Sequence, residues 1–328
     1  MKPIITGVLG YGYSGKVFHC PFVHAHDYFR LKSIVSRNSD DALKDYPYIN
    51  LLRDYEEMLN DETIELIIIT TPNHLHFEHA KKALKKGKHV LVEKPYATTY
   101  KEALTLNRIA DEKGLFISSY QNRRYDGDYL TLEKLKKNGS LDKIHEVNMV
   151  WDRLEPVEVH SWREGGLKGA DLVYDLGSHL LDQALTLFGE PKTFSSISKK
   201  IREGSLIKDW FEIQLDYGDY IARIKASLGA IYKEPRYVIQ TDKQAYLFHE
   251  MGEQVGQLVA GIKPLSADYG DNAFYDIYEV DGSKSSKQVV KGNYLRYYTQ
   301  MAKAIREGAA PEVTKEQAAL VIKYLEQV

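Results

Sequence analysis

The sequence lacks several features that would each suggest a particular class of protein. Its 328 residues include a single cysteine, Cys20, which excludes internal disulfide bonds and is typical of a reducing cytosol. The formal net charge is only −2 and no basic tract stands out, which argues against nucleic acid as the main partner. No apolar run approaches the roughly 18 residues of a membrane span, and no basic and apolar leader precedes the first strand-like segment. We therefore expect a soluble cytoplasmic protein that has neither a membrane nor a nucleic acid as its partner.

What the sequence does contain indicates two domains of different architecture, since 328 residues exceed the usual length of one domain. In residues 1–120, short apolar segments alternate with helical patterns, as a doubly wound parallel sheet requires. Strands are predicted in this part at 4–9, 31–36, 66–71, 89–92 and 115–119. Helices are predicted between them at 14–25, 55–59, 74–86 and 99–113.

In residues 121–328 the pattern changes to one dominated by strands of period 2, several of them joined by tight turns. Strands are predicted at 144–154, 192–201, 210–217, 220–228, 237–241, 245–249 and 274–280. Helices are predicted at 129–137, 175–188, 294–307 and 315–327. The second domain is therefore predicted to be α+β, with a large, mostly antiparallel open sheet. Because the helices suffice for only one face, the other face is predicted to join a homodimer or homotetramer.

The first predicted strand runs directly into a glycine motif that precedes a helix. Gly10 would let the chain turn tightly off the strand, Gly12 would let the backbone approach a pyrophosphate, and Gly15 would let helix and strand pack closely. Tyr13 and Ser14 lie between these glycines. A strand before the motif and a helix after it form the context of a dinucleotide-binding Rossmann domain, which the first domain is predicted to be.

The end of the second predicted strand indicates which cofactor is bound. NAD-specific sites place a carboxylate about 20 residues past the glycines, where it holds the ribose hydroxyls. Here Ser36 and Arg37 occupy that place, and the first carboxylate is Asp40. A guanidinium pairs with a 2′-phosphate that a carboxylate would repel. The sequence therefore predicts NADP, with Ser36 and Arg37 on the phosphate; the alternative is an ordinary surface arginine.

The loops after the next strands are predicted to line the cofactor crevice, because ligands bind beyond the carboxyl ends of parallel strands. The predicted lining residues are Thr71, Pro72, Asn73, His76, Glu93, Lys94 and Gln121. Pro95 restricts the turn after Lys94, which favours a lysine aimed into the site. His74, His76 and His79 have a spacing that metal ligands can show, but a metal needs three or four converging ligands. They open a helix beside the predicted cofactor, so no metal site is predicted.

A second chemically unusual stretch contains Asp175 and His179. On an α-helix these residues share one face at positions i and i+4. A histidine supported by a carboxylate is a common proton-transfer device near neutral pH. Alone, such a pair is more often a helix cap and a satisfied polar pair. Because the sequence also predicts a cofactor site and places Lys94 at it, a catalytic role for Asp175 and His179 is favoured instead.

Taken together, these motifs resemble those of the Gfo/Idh/MocA family of NAD(P)-dependent oxidoreductases. The resemblance covers essentially the whole chain and rests on four motifs in the family's order: GYGYSG at 10–15, TTPNHLH at 70–76, VEKP at 92–95 and YDLGSH at 174–179. The runs GYGYSGKVFHCPF, QNRRYD at 121–126 and WRE at 162–164 look most like the NADP-dependent scyllo-inositol 2-dehydrogenase branch of the family.

The resemblance implies a catalytic trio of Lys94, Asp175 and His179. It also implies hydride transfer between NADP and a secondary alcohol or ketone of a cyclic polyol or sugar, with His179 as acid/base. Contacts to that small molecule are expected from residues in two loops: Asn122, Arg123, Trp162 and Arg163. The alternative for these four residues is that their loops only pack against the protein. Two alternatives remain, namely a different sugar or carbonyl substrate and a non-catalytic regulator that senses NADP.

Overall fold

The computed structural model describes residues 1–158, 161, 163–270 and 272–328, and its first part is built on a parallel sheet. The strands are β1 (Ile4–Leu9), β2 (Phe29–Val35), β3 (Asn50–Leu52), β4 (Leu66–Ile69), β5 (His89–Val92) and β6 (Ile117–Ser119). Their order is β3-β2-β1-β4-β5-β6, and every pair is parallel. β4 is buried along its whole length, as its unbroken run of leucine and isoleucine predicts. The predicted doubly wound sheet is confirmed.

Helices connect these strands, and short capping motifs fix where several of them begin. A π-helical turn (Gly15–His19) leads into α1 (Cys20–Ala25). The single helix predicted at 14–25 is therefore a π-helical segment followed by an α-helix. Asp54 and Thr99 each accept a backbone N–H in a capping box, at the starts of α3 and α5. The helices are α2 (Asp41–Asp45), α3 (Tyr55–Asn60), α4 (His76–Lys85) and α5 (Tyr100–Lys113).

The second sheet is mostly antiparallel and also agrees with the predicted fold class. Its strands are β7 (Ile144–Asp152), β8 (Thr193–Lys199), β9 (Trp210–Asp216), β10 (Ile221–Ser227), β11 (Tyr237–Thr241), β12 (Gln244–Phe248), β13 (Phe274–Glu279) and β14 (Lys284–Gln288). They are ordered β14-β13-β12-β11-β7-β10-β9-β8, and only β7 and β10 pair in parallel. The same part of the chain contains α6 (Gly127–Lys137), a π-helical turn (Val173–Gly177), α7 (Ser178–Phe188) and α8 (Gln254–Val259).

The chain forms two compact units that do not follow a single cut in the sequence. The first unit comprises Met1–Gln121, Gly256–Tyr269 and Tyr294–Ile322; the second comprises Asn122–Val255, Gly270–Asn293 and Lys323–Val328. The sequence placed everything after residue 120 in one domain. The structure instead places α9 (Leu295–Glu307) and most of α10 (Lys315–Leu325) with the parallel sheet.

Hydrogen bonds from buried tyrosines explain why α9 belongs to the first unit. The Tyr297 hydroxyl donates to the Ser119 carbonyl oxygen at 2.9 Å, at the end of β6. The Tyr298 hydroxyl donates to the Phe18 carbonyl oxygen at 2.7 Å, in the π-helical turn. Both tyrosines are buried, so these bonds tie the helix to the region around the glycine motif. Among the described residues, no helix is long and apolar enough to cross a membrane.

Candidate active site

The glycine motif has the geometry that a pyrophosphate-binding turn needs. Gly10 has a φ of 110°, and a Cβ there would lie 2.6 Å from Thr70 Oγ1. A Cβ on Gly15 would lie 2.4 Å from the Gly10 carbonyl oxygen, so only glycine permits this close approach. A Cβ on Gly12 would meet nothing within 4 Å. Two glycines are therefore required by packing, while a side chain on the third, Gly12, would extend into open space.

The start of the following helix supports this turn. The Lys16 N–H donates to the Gly12 carbonyl oxygen at 2.9 Å, which connects the glycine turn to the π-helical segment by a hydrogen bond. Ser14 lies just before that segment, and the exposed ring of Tyr13 packs edge-on against Phe18 at 5.5 Å. Short π-helical segments are frequent at functional sites. No pattern in the sequence distinguishes this winding from an α-helix.

The loop after β2 is shaped by Arg53, a residue that the sequence did not single out. The Arg53 guanidinium donates to the Ser36 carbonyl oxygen at 2.6 Å and to the Ser39 carbonyl oxygen at 3.0 Å. It also pairs with Asp40. The first carboxylate after β2 is thus neutralised inside the loop, while Arg37 is exposed. This arrangement leaves the exposed guanidinium of Arg37 as a cation that no carboxylate pairs with among the described residues of the loop after β2.

The charge of Arg37 also affects the pKa of a histidine in α4, His79. Its Nδ1 lies 3.1 Å from the Thr71 hydroxyl, in the loop after β4. Burial lowers the pKa of His79 to about 4, and the charges of His76, Lys82 and Arg37 act in the same direction. Near neutral pH, His79 is therefore an uncharged hydrogen-bond partner of Thr71.

His76 links the loops after β4 and β5. Its ring is fully buried, with Nε2 2.8 Å from the Thr71 carbonyl oxygen and Nδ1 2.8 Å from the Pro95 carbonyl oxygen. Burial lowers the pKa of His76, and its bonds to the two carbonyl oxygens oppose this. Because both nitrogens contact backbone, the ring holds the loops together. In the part of the chain that the structure describes, no group of three or more potential ligands is arranged for a metal ion.

Lys94 follows β5 directly and is held by the side chain of the residue before it. The Lys94 N–H donates to Glu93 Oε2 at 3.0 Å, and the Lys94–Pro95 peptide bond is cis. Glu93 is buried and its other oxygen, Oε1, lies 3.0 Å from His19 Nε2. Burial acts to raise the pKa of Glu93, but the His19 hydrogen bond and nearby positive charges outweigh it and hold this pKa below its ordinary value.

In the second unit, the turn Asn122–Tyr125 places two of the predicted substrate residues. Asn122 and Arg123 are both buried. Arg123 Nη1 donates to Asp126 Oδ2 at 3.1 Å, and its carbonyl oxygen accepts from Gln183 Nε2 at 3.0 Å. The turn is thereby fixed to α7, the helix that contains His179. Trp162, the third predicted substrate residue, lies outside the described residues.

Asp175 and His179 lie on either side of the junction between a π-helical turn and α7. Asp175 belongs to the turn Val173–Gly177, so the α-helical spacing assumed from the sequence does not apply there. Arg163, the fourth predicted substrate residue, donates from Nη1 to Asp175 Oδ2 at 3.3 Å. A loop residue and a member of the predicted catalytic trio are therefore in direct contact.

The His179 side chain is only 4% exposed and lies against Trp151 of β7, with ring centroids 5.7 Å apart. Three guanidinium groups also pack over the Trp151 ring at 4.6–5.1 Å, those of Arg123, Arg153 and Arg236. The indole ring of Trp151 therefore contacts both the His179 ring and these three cations. Sequence periodicity marked Trp151 only as a strand residue.

The predicted site residues thus form two groups. The first unit brings together the glycine motif, the loops after β2, β4 and β5, and Lys94. The second unit brings together Arg163 with Asp175, and Arg123 with the Trp151 ring on which His179 also lies.

Comparison with known proteins gives matches along nearly the whole chain. Residues 4–121 match the Gfo/Idh/MocA oxidoreductase family, NAD-binding Rossmann fold, and residues 129–246 match a Gfo/Idh/MocA C-terminal domain. The chain is 38% identical to the scyllo-inositol 2-dehydrogenase (NADP(+)) IolW of Bacillus subtilis, over 98% of this chain and 92% of that protein. It is 32% identical to the uncharacterized oxidoreductase YdgJ of Escherichia coli, over 98% and 94% of the two chains. The solved structure of the oxidoreductase YvaA from Bacillus subtilis superposes with a TM-score of 0.92 at 37% identity, covering 98% and 94%.

Proposed function

Because the chain belongs to the Gfo/Idh/MocA family of NAD-binding oxidoreductases, we propose that it is an NADP-dependent dehydrogenase of a cyclic polyol or sugar. Its substrate would be of the scyllo-inositol type, interconverted between secondary alcohol and ketone. The observation that carries this proposal is the 38% identity, over 98% of the chain, to a relative named as an NADP-dependent scyllo-inositol 2-dehydrogenase.

The first unit supports the proposed choice of cofactor. Backbone N–H groups of the glycine motif would bind the pyrophosphate at the open face of Gly12, and Ser36 and Arg37 would bind the 2′-phosphate. The pairing of Asp40 with Arg53 offsets the charge of the first carboxylate after β2, which would otherwise repel that phosphate. When bound, the nicotinamide ring of such a cofactor takes up or delivers a hydride at C4.

We assign the remaining chemistry to Lys94, Asp175 and His179. During oxidation of the alcohol, His179 would accept the hydroxyl proton as a general base. The Lys94 ammonium would stabilise the negative charge that develops on the same oxygen. Asp175 would orient the substrate and its proton network together with Arg163, to which it is already paired at 3.3 Å.

The substrate assignment is tested by a panel of inositols and aldoses, each supplied with NADP while the absorbance of NADPH is followed. We expect a cyclic polyol such as scyllo-inositol to give the highest kcat/KM. An aldose or an unrelated carbonyl compound as the best substrate would contradict the polyol assignment and favour a different sugar or carbonyl oxidoreductase. Tight NADP binding without turnover of any member would favour a regulator that senses NADP.

We also propose that the outer face of the second sheet joins two copies of the chain. Exposed apolar side chains occur on this face, with Ile197, Ile221 and Phe274 exposed to 50%, 49% and 58%. The opposite face of the same strands is fully buried, for example at Ile213 of β9 and Ile224 of β10. The outer face also carries the ion pairs of Arg223 with Glu212 and Glu234, so the proposed interface combines apolar side chains with charged ones. Exposed apolar side chains on an otherwise polar sheet face are consistent with a symmetric subunit interface.

Light scattering should therefore report two or four times the chain mass of 37.6 kDa at micromolar concentration. Ile221→Asp should shift the distribution towards the monomer, because it introduces a charge into the proposed interface. Ile231→Asp is the matched control, since Ile231 is 89% exposed and lies outside the strands of the sheet. A monomeric wild-type protein, or equal dissociation of both variants, would contradict the proposed interface.

A further inference from the structure

We propose that His19 and Tyr298 are positioning residues for Lys94, acting through a buried carboxylate, that of Glu93, which they keep charged and fixed. The inference rests on the proposed catalytic function of Lys94. It assigns a role to a histidine of the glycine-motif helix and to a tyrosine of α9, neither of which would touch the substrate.

The geometry forms an unbroken chain of hydrogen bonds within the first unit. Tyr298 Oη lies 3.0 Å from His19 Nδ1, and His19 Nε2 lies 3.0 Å from Glu93 Oε1. Glu93 Oε2 accepts the backbone N–H of Lys94 at 3.0 Å. His19 and Tyr298 are fully buried, so water does not compete for these bonds.

The direction of these bonds indicates an ion pair. The Tyr298 hydroxyl donates its one proton to the Phe18 carbonyl oxygen at 2.7 Å, which leaves its oxygen to accept from His19 Nδ1. His19 Nε2 faces a carboxylate oxygen, which also only accepts. Both nitrogens of His19 are therefore donors, as in an imidazolium, and the partner is the Glu93 carboxylate.

The surroundings of Glu93 make its charge depend on His19. Burial alone would raise its pKa, and the groups that oppose this are the His19 hydrogen bond and the charges of His19, Lys94 and His76. Two phenols also contact the His19 ring: Tyr120, whose ring centroid lies 4.4 Å away, and Tyr298. Without His19, Glu93 would lose its hydrogen-bonded cation and its pKa would rise.

An ionised Glu93 positions Lys94 through the backbone. Its Oε2 accepts the Lys94 N–H at 3.0 Å and so fixes the peptide at which the Lys94 side chain begins. A charged acceptor makes this hydrogen bond stronger than a neutral one, so protonation of Glu93 would weaken it and loosen the placement of the Lys94 ammonium.

His19→Gln tests the first step, because the amide nitrogen of glutamine can replace the donor at Nε2 without its charge. Infrared spectra recorded across pH should show the band of a protonated, buried carboxyl group in His19→Gln at neutral pH and not in the wild type. The band should disappear in the double variant His19→Gln/Glu93→Gln, which assigns it to Glu93. Absence of the band in His19→Gln would overturn the inference whatever the turnover.

Turnover as a function of pH tests the second step. The ratio of variant to wild-type kcat cancels titrations that both proteins share. This ratio should be lowest at acid pH, by up to roughly 100-fold, the cost of misplacing a reactive group by about 1 Å. It should recover as pH rises and Glu93 ionises. A pH-independent ratio alongside a clear infrared band would show that the charge of Glu93 does not support Lys94, and would overturn the proposal.

Tyrosine variants keep the test decisive if His19→Gln folds poorly. Tyr298→Phe removes only the hydroxyl that His19 contacts and should change the kcat ratio in the same direction by a smaller factor. Tyr297→Phe is the matched control, because it removes a buried hydroxyl from the same helix that bonds to Ser118 and Ser119 instead. Equal effects of the two variants would contradict a specific role for Tyr298. Lys94→Ala is measured in parallel: full turnover of that variant would refute the proposed function itself.

Discussion

His179→Ala is expected to lower turnover by roughly 10²–10⁴-fold, the usual contribution of general acid–base catalysis. Affinity for NADP should hardly change, because the glycine motif and the loop after β2 belong to the first unit and His179 to the second. Turnover, cofactor affinity and melting temperature should be measured on one preparation. His145→Ala is a suitable control, since His145 is an exposed histidine of the second sheet.

The competing explanation for His179 is a structural one, because its side chain is buried against Trp151. A merely structural histidine would show as a lower melting temperature with near-normal turnover of the folded fraction. Lys94→Ala should cost a factor comparable to that of His179→Ala. The double variant should cost less than the product of the two, because both residues are proposed to act on one oxygen. Full activity of folded His179→Ala would remove this histidine from the mechanism.

Arg37→Asp should invert the preference for NADP over NAD while leaving the hydride transfer intact. A charge-assisted hydrogen bond to phosphate contributes about 1.5–3 kcal/mol, hence roughly ten- to a hundredfold in affinity. The new carboxylate would repel the 2′-phosphate and could accept from the ribose hydroxyls of NAD. The measurement is kcat/KM with each cofactor at a fixed concentration of the best substrate.

Arg30→Asp provides the control for Arg37→Asp, since it makes the same change of charge at an exposed position near the opposite end of β2. Its cofactor preference should equal that of the wild type. If the unmutated protein used NAD and NADP with equal efficiency, the assignment of Arg37 to the phosphate would be wrong. A loss of preference in both variants would indicate a general electrostatic effect instead of a specific contact.

The parallel sheet was predictable because strands buried on both faces have continuous apolar sequences. The observed limits of β1, β4 and β5 each lie within one or two residues of the predicted limits. Two strands were missed for a physical reason. β3 has only three residues, and β14 consists of polar, exposed residues that pair with β13 through the backbone and through polar contacts to Asp276. Neither length nor alternation of hydrophobicity marks such strands.

The glycine motif and the loops at the carboxyl ends of strands were also predictable, because their residues are contiguous in sequence. The groups that hold them are not contiguous. Arg53 lies 17 residues beyond Ser36, and Tyr298 lies 279 residues beyond His19. No periodicity or spacing rule connects such pairs, so their contacts emerge only from the fold. The catalytic trio stays a prediction until the variants described above are measured.

The return of α9 to the first unit has a consequence for how the protein is made. A ribosome releases the six parallel strands early, but Tyr297 and Tyr298, which bond to β6 and to the π-helical turn, emerge almost 180 residues after β6 is complete. During that interval the nascent sheet lacks two buried phenols, and the carbonyl oxygens of Ser119 and Phe18 keep only nearby partners, the Gln121 N–H and the Tyr120 hydroxyl. Since chains grow at about 5–20 residues per second, this state persists for roughly 10–35 seconds and is a natural substrate for chaperones.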